Sequence, residues 1–199
     1  MAKWARLRSK WLLSGGLLVV GLGCQQSGPS LSVSARWVSS TQPGWHRFDG
    51  RLWLTDTLFS GWQYTLHPTG DSAFVGGYVA GRAEGIHRHW YANGRLRESR
   101  QYQNGWQEGE QLGWYESGRR AYRYSFRQDV YDGPLLEWYA NGQLAREGHY
   151  EAGHEQGAQR AWFANGRLKA NYEARQGRNY GFTGVKHCVN VRDSIAALY

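Results

Sequence analysis

The sequence predicts an all-β fold: a linear array of antiparallel β-hairpins with a 24-residue period, in a single elongated domain. Glycines recur at this period without an insertion, and so do aromatic pairs, each followed by Asn-Gly or an equivalent turn. Asn-Gly between two strand-like runs is a strong hairpin signal. One hairpin cannot bury its apolar face alone, whereas stacked copies can, so the repetition extends one surface. The glycines that mark the period are Gly61, Gly85, Gly109, Gly133, Gly157 and Gly181.

The composition agrees with this fold and limits the classes of partner. An apolar fraction of 41% in 199 residues suffices for one domain with a core. The 11 Trp, 13 Tyr and 27 Gly favour hairpins, because rings suit a pleated surface and glycine supplies the positive φ of turns. Four of the eight net positive charges lie in "MAKWARLRSK", which leaves about +4 (8 − 4) for the rest of the chain. We therefore expect no nucleic-acid partner.

The first residues resemble an export signal. Residues 1–23 combine a basic start with the 13-residue apolar run "WLLSGGLLVVGLG", which is shorter than the roughly 20 residues of a membrane-spanning helix. "VVGLGC" resembles a bacterial lipobox, so Cys24 is the predicted lipidation site; secretion with an unmodified Cys24 is the alternative. Residues 24–36 are the predicted polar tether. The expected location is the bacterial cell envelope, lipid-anchored, and by resemblance Gln25 favours the outer membrane of a Gram-negative host.

Both ends of the array are expected to be caps, since terminal units must cover an exposed sheet edge. Residues 37–60 are predicted to form an irregular N-terminal cap in which "RLWLTDTLFSG" is half of a degenerate repeat that pairs with the first complete hairpin. Residues 181–199 form the predicted C-terminal cap, where "VKHCVNV" alternates like a strand. Cys188 would be the only thiol besides Cys24, so no internal disulfide is expected in the mature chain.

Residues 61–180 contain the five predicted repeats, and the turn after each aromatic pair has two possible geometries. A two-residue turn would place Tyr91 opposite Leu96, whereas a three-residue loop with a left-handed glycine at a bulge would place Trp90 there. The second is favoured because it gathers Trp90, Leu96, Tyr102 and Ile86 on one apolar face. A looser turn, "QNGWQEG", is expected to join consecutive units. The predicted turn glycines are Gly70, Gly94, Gly118, Gly142 and Gly166.

Three rows of side chains are candidates for binding. The rings could stack on sugars or anchor a protein partner, or they could pack only against one another. The arginines could meet anionic lipid, glycans or an acidic partner, or they could only keep the hairpin edge soluble. The aromatic rows are Trp90, Trp114, Trp138 and Trp162, followed by Tyr91, Tyr115, Tyr139 and Phe163. The arginine stripe is Arg95, Arg119 and Arg167.

Catalytic motifs are missing from the sequence. There is no G-x-S-x-G, H-E-x-x-H, P-loop or helix-opening G-x-G-x-x-G, so no enzyme, cofactor or metal site is predicted. His87 and His89 share one face of a predicted strand and could seat a metal ion, but without a third ligand they are expected to be solvated. His187 and Cys188 are adjacent and point to opposite faces. A reactive Cys188 is an alternative to a buried one.

The repeat units resemble a known family. "WYANGRLRESRQYQNGWQEG" and "WYANGQLAREGHYEAGHEQG" resemble the bacterial variant of the MORN repeat, in proteins called the YwqK-type antitoxin-like repeat family. This resemblance implies the hairpin fold and roles as scaffolds, membrane-apposed modules or protein-binding surfaces. The predicted function is a non-enzymatic, membrane-anchored repeat lipoprotein that binds an unidentified protein or acts as a scaffold. An envelope glycan- or lipid-binding module and an antitoxin- or immunity-like protein are the alternatives.

Overall fold

The computed structural model describes residues 32–184, which contain sixteen β-strands and no helix. The predicted signal, Cys24, the start of the predicted tether and "VKHCVNV" lie outside the described residues. The strands are β1 (Trp37–Ser39), β2 (Trp45–Phe48), β3 (Arg51–Leu54), β4 (Thr57–Leu58), β5 (Gly61–Leu66), β6 (Ser72–Val79), β7 (Arg82–Trp90), β8 (Leu96–Gln103), β9 (Trp106–Trp114), β10 (Arg120–Arg127), β11 (Val130–Trp138), β12 (Leu144–Glu151), β13 (His154–Glu155), β14 (Gly157–Trp162), β15 (Leu168–Arg175) and β16 (Arg178–Phe182).

Thirteen of these strands form one long sheet. From β5 to β16 the order in the sheet follows the order in the chain, and each strand is antiparallel to its neighbours. β13 is a short strand beside β12, and β1 pairs with β5 in parallel. The prediction of an all-β array of antiparallel hairpins is confirmed.

The turn after the aromatic pair is the three-residue loop with a left-handed glycine. Trp90 lies opposite Leu96, the φ of Gly94 is +78°, and the amide of Gly94 donates to the carbonyl of Tyr91 over 2.9 Å. The equivalent glycines of the other repeats also have a positive φ, which glycine adopts without steric cost. These are Gly70, Gly118, Gly142 and Gly166.

The bulge in this hairpin changes which side chains share a face. The register shifts between His89 and Trp90, so Tyr102 lies opposite Gly85 rather than beside Ile86. Tyr102 therefore packs against His87, with ring centroids 4.6 Å apart, while Ile86 is 40% exposed on the other side. The prediction that Ile86 and Tyr102 share one buried face is wrong, because a one-residue shift exchanges the two faces.

The turn between units is tighter than predicted. Gln103 pairs with Trp106 around Asn104 and Gly105, whose φ angles are +52° and +92°. Two consecutive residues with positive φ make the compact two-residue hairpin turn whose twist matches that of the strands. The glycine inside "WQEG", Gly109, lies instead within β9 at a bulge, with a φ of +71°.

The short strands β2, β3 and β4 form a separate three-stranded sheet. It packs on one face of the long sheet at its N-terminal end and encloses the apolar core, which consists of Val38, Leu52, Leu54, Phe59 and Tyr78. The prediction that this half repeat pairs with the first complete hairpin is therefore wrong, because β3 pairs with β2 and β4 instead. Its contact with the long sheet is made at the turn between β6 and β7, where the amide of Leu52 donates to the carbonyl of Gly81 over 2.8 Å.

The two faces of the long sheet differ in character. We call the side that carries Tyr78, Tyr102, Tyr124, Tyr150 and Tyr172 the tyrosine face, because strand pairing and ring contacts place these residues on one side. The opposite side, the outer face, carries Ile86, Arg88, Glu110, Arg123 and Arg160. Its ion pairs, such as Arg123 with Glu110, are exposed, and exposed pairs add little stability.

Candidate binding surface

A row of buried side chains runs along the tyrosine face at the 24-residue period. Its members are between 2% and 5% exposed, and they are His87, Gln111, Leu135 and Gln159. Three of them donate a side-chain hydrogen bond to the carbonyl ten residues earlier: His87 to Gly77 over 2.8 Å, Gln111 to Gln101 over 3.0 Å, and Gln159 to His149 over 2.9 Å. At Gly77 and Gln101 the carbonyl lies at a register shift, so the side chain supplies a donor where the strand ladder is interrupted.

The expectation that His87 is solvated is therefore wrong. It is 5% exposed, and its Nε2 donates to a backbone carbonyl. Burial lowers the pKa of His87 to about 4, so the ring is neutral at neutral pH. Burial also lowers the pKa of His89, which is half-buried. Among residues 32–184, no three His, Cys, Asp or Glu side chains are grouped closely enough to hold a metal ion.

Beside this row, tyrosines and charged groups form fixed pairs. Arg100 forms an ion pair of 2.6 Å with Glu98, which also accepts from the hydroxyl of Tyr122. The rings of Tyr122 and Tyr124 are stacked, with centroids 4.5 Å apart. Burial and the hydrogen bond to Glu98 raise the pKa of Tyr122, so its hydroxyl stays protonated. The rings are thereby held in place while remaining partly open to solvent.

A second group of this kind lies nearer the C-terminal end. Arg146 forms an ion pair of 2.9 Å with Glu155, and Glu155 accepts from Tyr150 over 3.1 Å and from Tyr172 over 2.8 Å. Burial, followed by the hydrogen bond to Glu155, raises the pKa of Tyr172 to about 12. Tyrosine and arginine are the residue types that dominate the energy of protein interfaces.

The predicted aromatic rows connect consecutive repeats. The hydroxyl of each row tyrosine donates to the carbonyl of the tryptophan in the next repeat, and these bonds are Tyr91 to Trp114 over 2.8 Å, Tyr115 to Trp138 over 2.6 Å, and Tyr139 to Trp162 over 2.8 Å. At the first turn, the ring nitrogen of His67 takes this place, 3.0 Å from the carbonyl of Trp90. Phe163 ends the row and has no hydroxyl. These rings therefore serve the stacking of the array.

The predicted arginine stripe lies beside the same row of three-residue hairpin loops and is exposed. Arg95 donates to the carbonyl of Glu116 over 3.0 Å, and Arg119 donates to that of Ala140 over 3.1 Å. Both contacts reach the next turn. In the part of the chain that the structure describes, Arg95, Arg119 and Arg167 form no ion pair with a carboxylate. Their positive charges thus remain available on the surface.

A family model described as the MORN repeat variant matches residues 83–104 and 131–152. This chain contains MORN repeats. No curated protein matches the chain. Each matched MORN repeat begins in the strand after a two-residue turn, includes the three-residue loop and ends at the next two-residue turn. Residues 32–184 include no helix that is long and apolar enough to cross a membrane.

Sequence reasoning missed several residues that build the tyrosine face. Glu98, Arg100, Tyr122, Tyr124 and Arg146 occupy strand positions that simple alternation assigns to the wrong side once a bulge intervenes. One signal could have indicated them. The positions equivalent to His87 carry glutamine three times and leucine once, although a solvated position in such strands favours charged side chains.

Proposed function

We propose that this protein is a non-enzymatic binding module, anchored by a lipid at Cys24, that holds a protein partner at the bacterial cell envelope. The observation that carries the proposal is the tyrosine face, where partly exposed rings and arginines are held in place by hydrogen bonds and ion pairs. Side chains that are already ordered lose less conformational entropy on binding, so such a surface favours tight association. The lipid anchor rests on the resemblance of "VVGLGC" to a lipobox.

A photo-crosslinking experiment tests which face meets the partner. Tyr150 and His149 are neighbours on β12 and lie on opposite faces of the sheet. A benzophenone amino acid at position 150 in the intact host should give one dominant protein adduct, and the same group at position 149 should not. Equal adducts from both positions, or none from position 150 in a folded variant, would contradict the proposal.

The anchor has a separate test. Cys24→Ser should move the protein from the membrane fraction to the soluble fraction, because no thiol is left there for the lipid. A variant that stays in the membrane fraction, with no lipid detected on wild-type Cys24 by mass spectrometry, would contradict lipidation. Labelling of the membrane-bound protein with radioactive palmitate gives an independent readout.

A second candidate function is contact with an anionic surface of the envelope, such as acidic lipid headgroups. The arginine stripe favours it, since its charges are exposed and lie in a row along one edge of the sheet. Gln143 occupies the equivalent position in the fourth repeat, so glutamine is compatible with the fold there. Replacing Arg95, Arg119 and Arg167 by Gln should abolish sedimentation with phosphatidylglycerol vesicles; unchanged sedimentation would contradict this candidate.

A further inference from the structure

A groove lies where the three-stranded sheet overhangs the tyrosine face. Its volume is about 480 Å³, within the roughly 300–1,000 Å³ of small-molecule sites. The small sheet supplies one wall through a single side chain, and β5 to β8 of the long sheet supply the floor and the other wall. The residues that carry the argument are Arg47, Phe74, Tyr78, His87, Arg97 and Tyr102.

The groove is positively charged. Its lining contains arginine and histidine but neither Asp nor Glu, and neither Arg47 nor Arg97 forms an ion pair within residues 32–184. Arg47 lies over the tyrosine floor, with its Nη2 3.5 Å from the hydroxyl of Tyr78. Two unpaired guanidinium groups in one concave site favour a carboxylate, which accepts two parallel hydrogen bonds from such a group.

The floor of the groove is already ordered. The ring of His87 lies 5.1 Å from that of Tyr78 and 4.6 Å from that of Tyr102, measured between centroids. Tyr78 and His87 are both buried, and His87 is fixed by its bond to the carbonyl of Gly77. Phe74 adds a further ring beside His89, at 4.6 Å. A ligand would therefore meet a prebuilt surface of ring faces.

The residues that make this groove distinctive depart from the repeat. The row of His67 carries Tyr or Phe in the other four units, and the row of His87 carries Gln or Leu. Arg97 has Ala121, Ala145 and Lys169 as its later equivalents. His67 and His87 make the same kind of bond to a backbone carbonyl as the Tyr and Gln of their rows, so the repeat itself does not require imidazole at either position. The residues that differ from the repeat, His67, His87 and Arg97, all line this groove, which indicates a role for them in binding a ligand.

We propose that this groove binds an acidic saccharide, whose carboxylate pairs with Arg47 and Arg97 while a sugar ring lies against the exposed faces of Tyr102 and Phe74. The volume exceeds that of a single acidic side chain. The lining also includes the amide of Gln63 and the hydroxyl of Thr65, groups that bond sugar hydroxyls. This site is distinct from the proposed protein contact at Tyr150 and does not depend on it.

Calorimetric titration of the full-length chain in detergent tests the proposal. The probe is tri-galacturonic acid, with uncharged galactotriose and the peptide triglutamate as the matched comparisons. We expect tri-galacturonic acid to bind at least about tenfold more tightly than either, because only it offers both the carboxylates and the rings. No binding of tri-galacturonic acid, or equal binding of galactotriose or of triglutamate, overturns the proposal.

Substitutions then locate the site. Arg47→Gln and Arg97→Gln should each weaken tri-galacturonic acid binding about tenfold, since each removes a charge-assisted hydrogen bond. Both side chains are exposed, so the fold tolerates the change. Arg88→Gln is the matched control: it is exposed on the outer face of β7, and its binding should equal wild type. Wild-type affinity in both groove variants overturns the assignment, whatever the crosslinking at position 150 shows.

Discussion

The hydroxyl of Tyr91 donates a 2.8 Å hydrogen bond to the carbonyl oxygen of Trp114, one repeat further along the chain. The same contact recurs at the next two repeats, so each of these three-residue hairpin loops is hydrogen-bonded to the loop of the following repeat. At the other end of the strands, where the two-residue turns lie, the amide of Gly105 donates to the carbonyl of Ala83 and the amide of Gly153 donates to that of Tyr131, each over 2.9 Å. Units within the array are therefore joined to their neighbours at both ends of the strands, which is how stacked repeats acquire cooperativity.

Tyr115→Phe should lower the free energy of unfolding by about 1 kcal/mol, because it leaves the carbonyl of Trp138 without its donor. Urea unfolding followed by tryptophan fluorescence measures this. Tyr131→Phe is the control, since its ring packs against Tyr150 and its hydroxyl has no hydrogen-bond partner within residues 32–184. Equal losses in the two variants would show that the inter-repeat bond contributes nothing specific.

His87 should make the protein less stable in mild acid. Its folded pKa of about 4 lies below the ordinary 6.5, so between these values the unfolded chain binds a proton that the folded chain does not. The stability is fully present above pH 6.5 and falls by roughly 3 kcal/mol as the pH approaches 4.

His87→Gln should reduce this loss, because Gln111 and Gln159 show that glutamine makes the same bond to a strand carbonyl without titrating. The measurement is urea unfolding at pH 7.5 and pH 4.5 for both proteins. The two proteins differ only at position 87, so the difference between their pH dependences reports on His87. Identical pH dependence would contradict the assignment.

Gly113→Ala should destabilise the array by about 1–3 kcal/mol through overpacking. A Cβ at Gly113 would lie 2.1 Å from the ring of Tyr122, which crosses this glycine to reach Glu98. In the last repeat the equivalent pair is Ala161 opposite Ala170, where no ring needs the space.

A double-mutant cycle provides the check. In a Tyr122→Ala background, Gly113→Ala should cost less than about 0.5 kcal/mol, because the pair then matches that of the last repeat. Ala161→Gly should have a small effect as well, limited to the entropy cost of glycine in a strand. If Gly113→Ala costs the same in both backgrounds, the ring of Tyr122 is not the reason for the glycine.

Phe59→Ala should cost about 3–5 kcal/mol, because Phe59 is 1% exposed and fills the core beneath the small sheet. Phe48→Ala is the control on the same small sheet, where the ring is 70% exposed, and it should be nearly neutral. Thermal unfolding of both variants gives the comparison. Similar melting temperatures would mean that the small sheet does not stabilise the array.

The hairpins could be predicted because the residues that specify each loop and its register lie within a few positions of one another in the sequence. Asn93 and Gly94 specify the loop, and the apolar pair Trp90 and Leu96 selects its register, as the structure confirms. The faces of the sheet were harder to predict. A bulge adds one residue to a strand, and after it every alternation argument is inverted, which explains the error at Ile86 and His87.

The small sheet could not be predicted for a different reason. Residues 45–58 do not repeat, so no second copy indicates where their partners lie. Alternation in "RLWL" correctly indicates a strand with Leu52 and Leu54 buried. Whether that strand joins the long sheet or covers it depends on contacts between distant residues, such as Leu52 with Gly81. The groove lined by Arg47 exists only because the small sheet packs on the long sheet, so it could not be predicted either.

The constant spacing of the turn bonds has a consequence for how such a gene can change. Each tyrosine reaches the residue 23 positions ahead, so losing codons 107–130 would bring Tyr91 to Trp138 in the same geometry. An in-frame duplication would likewise insert a unit whose bonds are already correct. Either event changes the array by two strands, about 10 Å, in one genetic step. The length of the array can thus change without redesign of the remaining sequence.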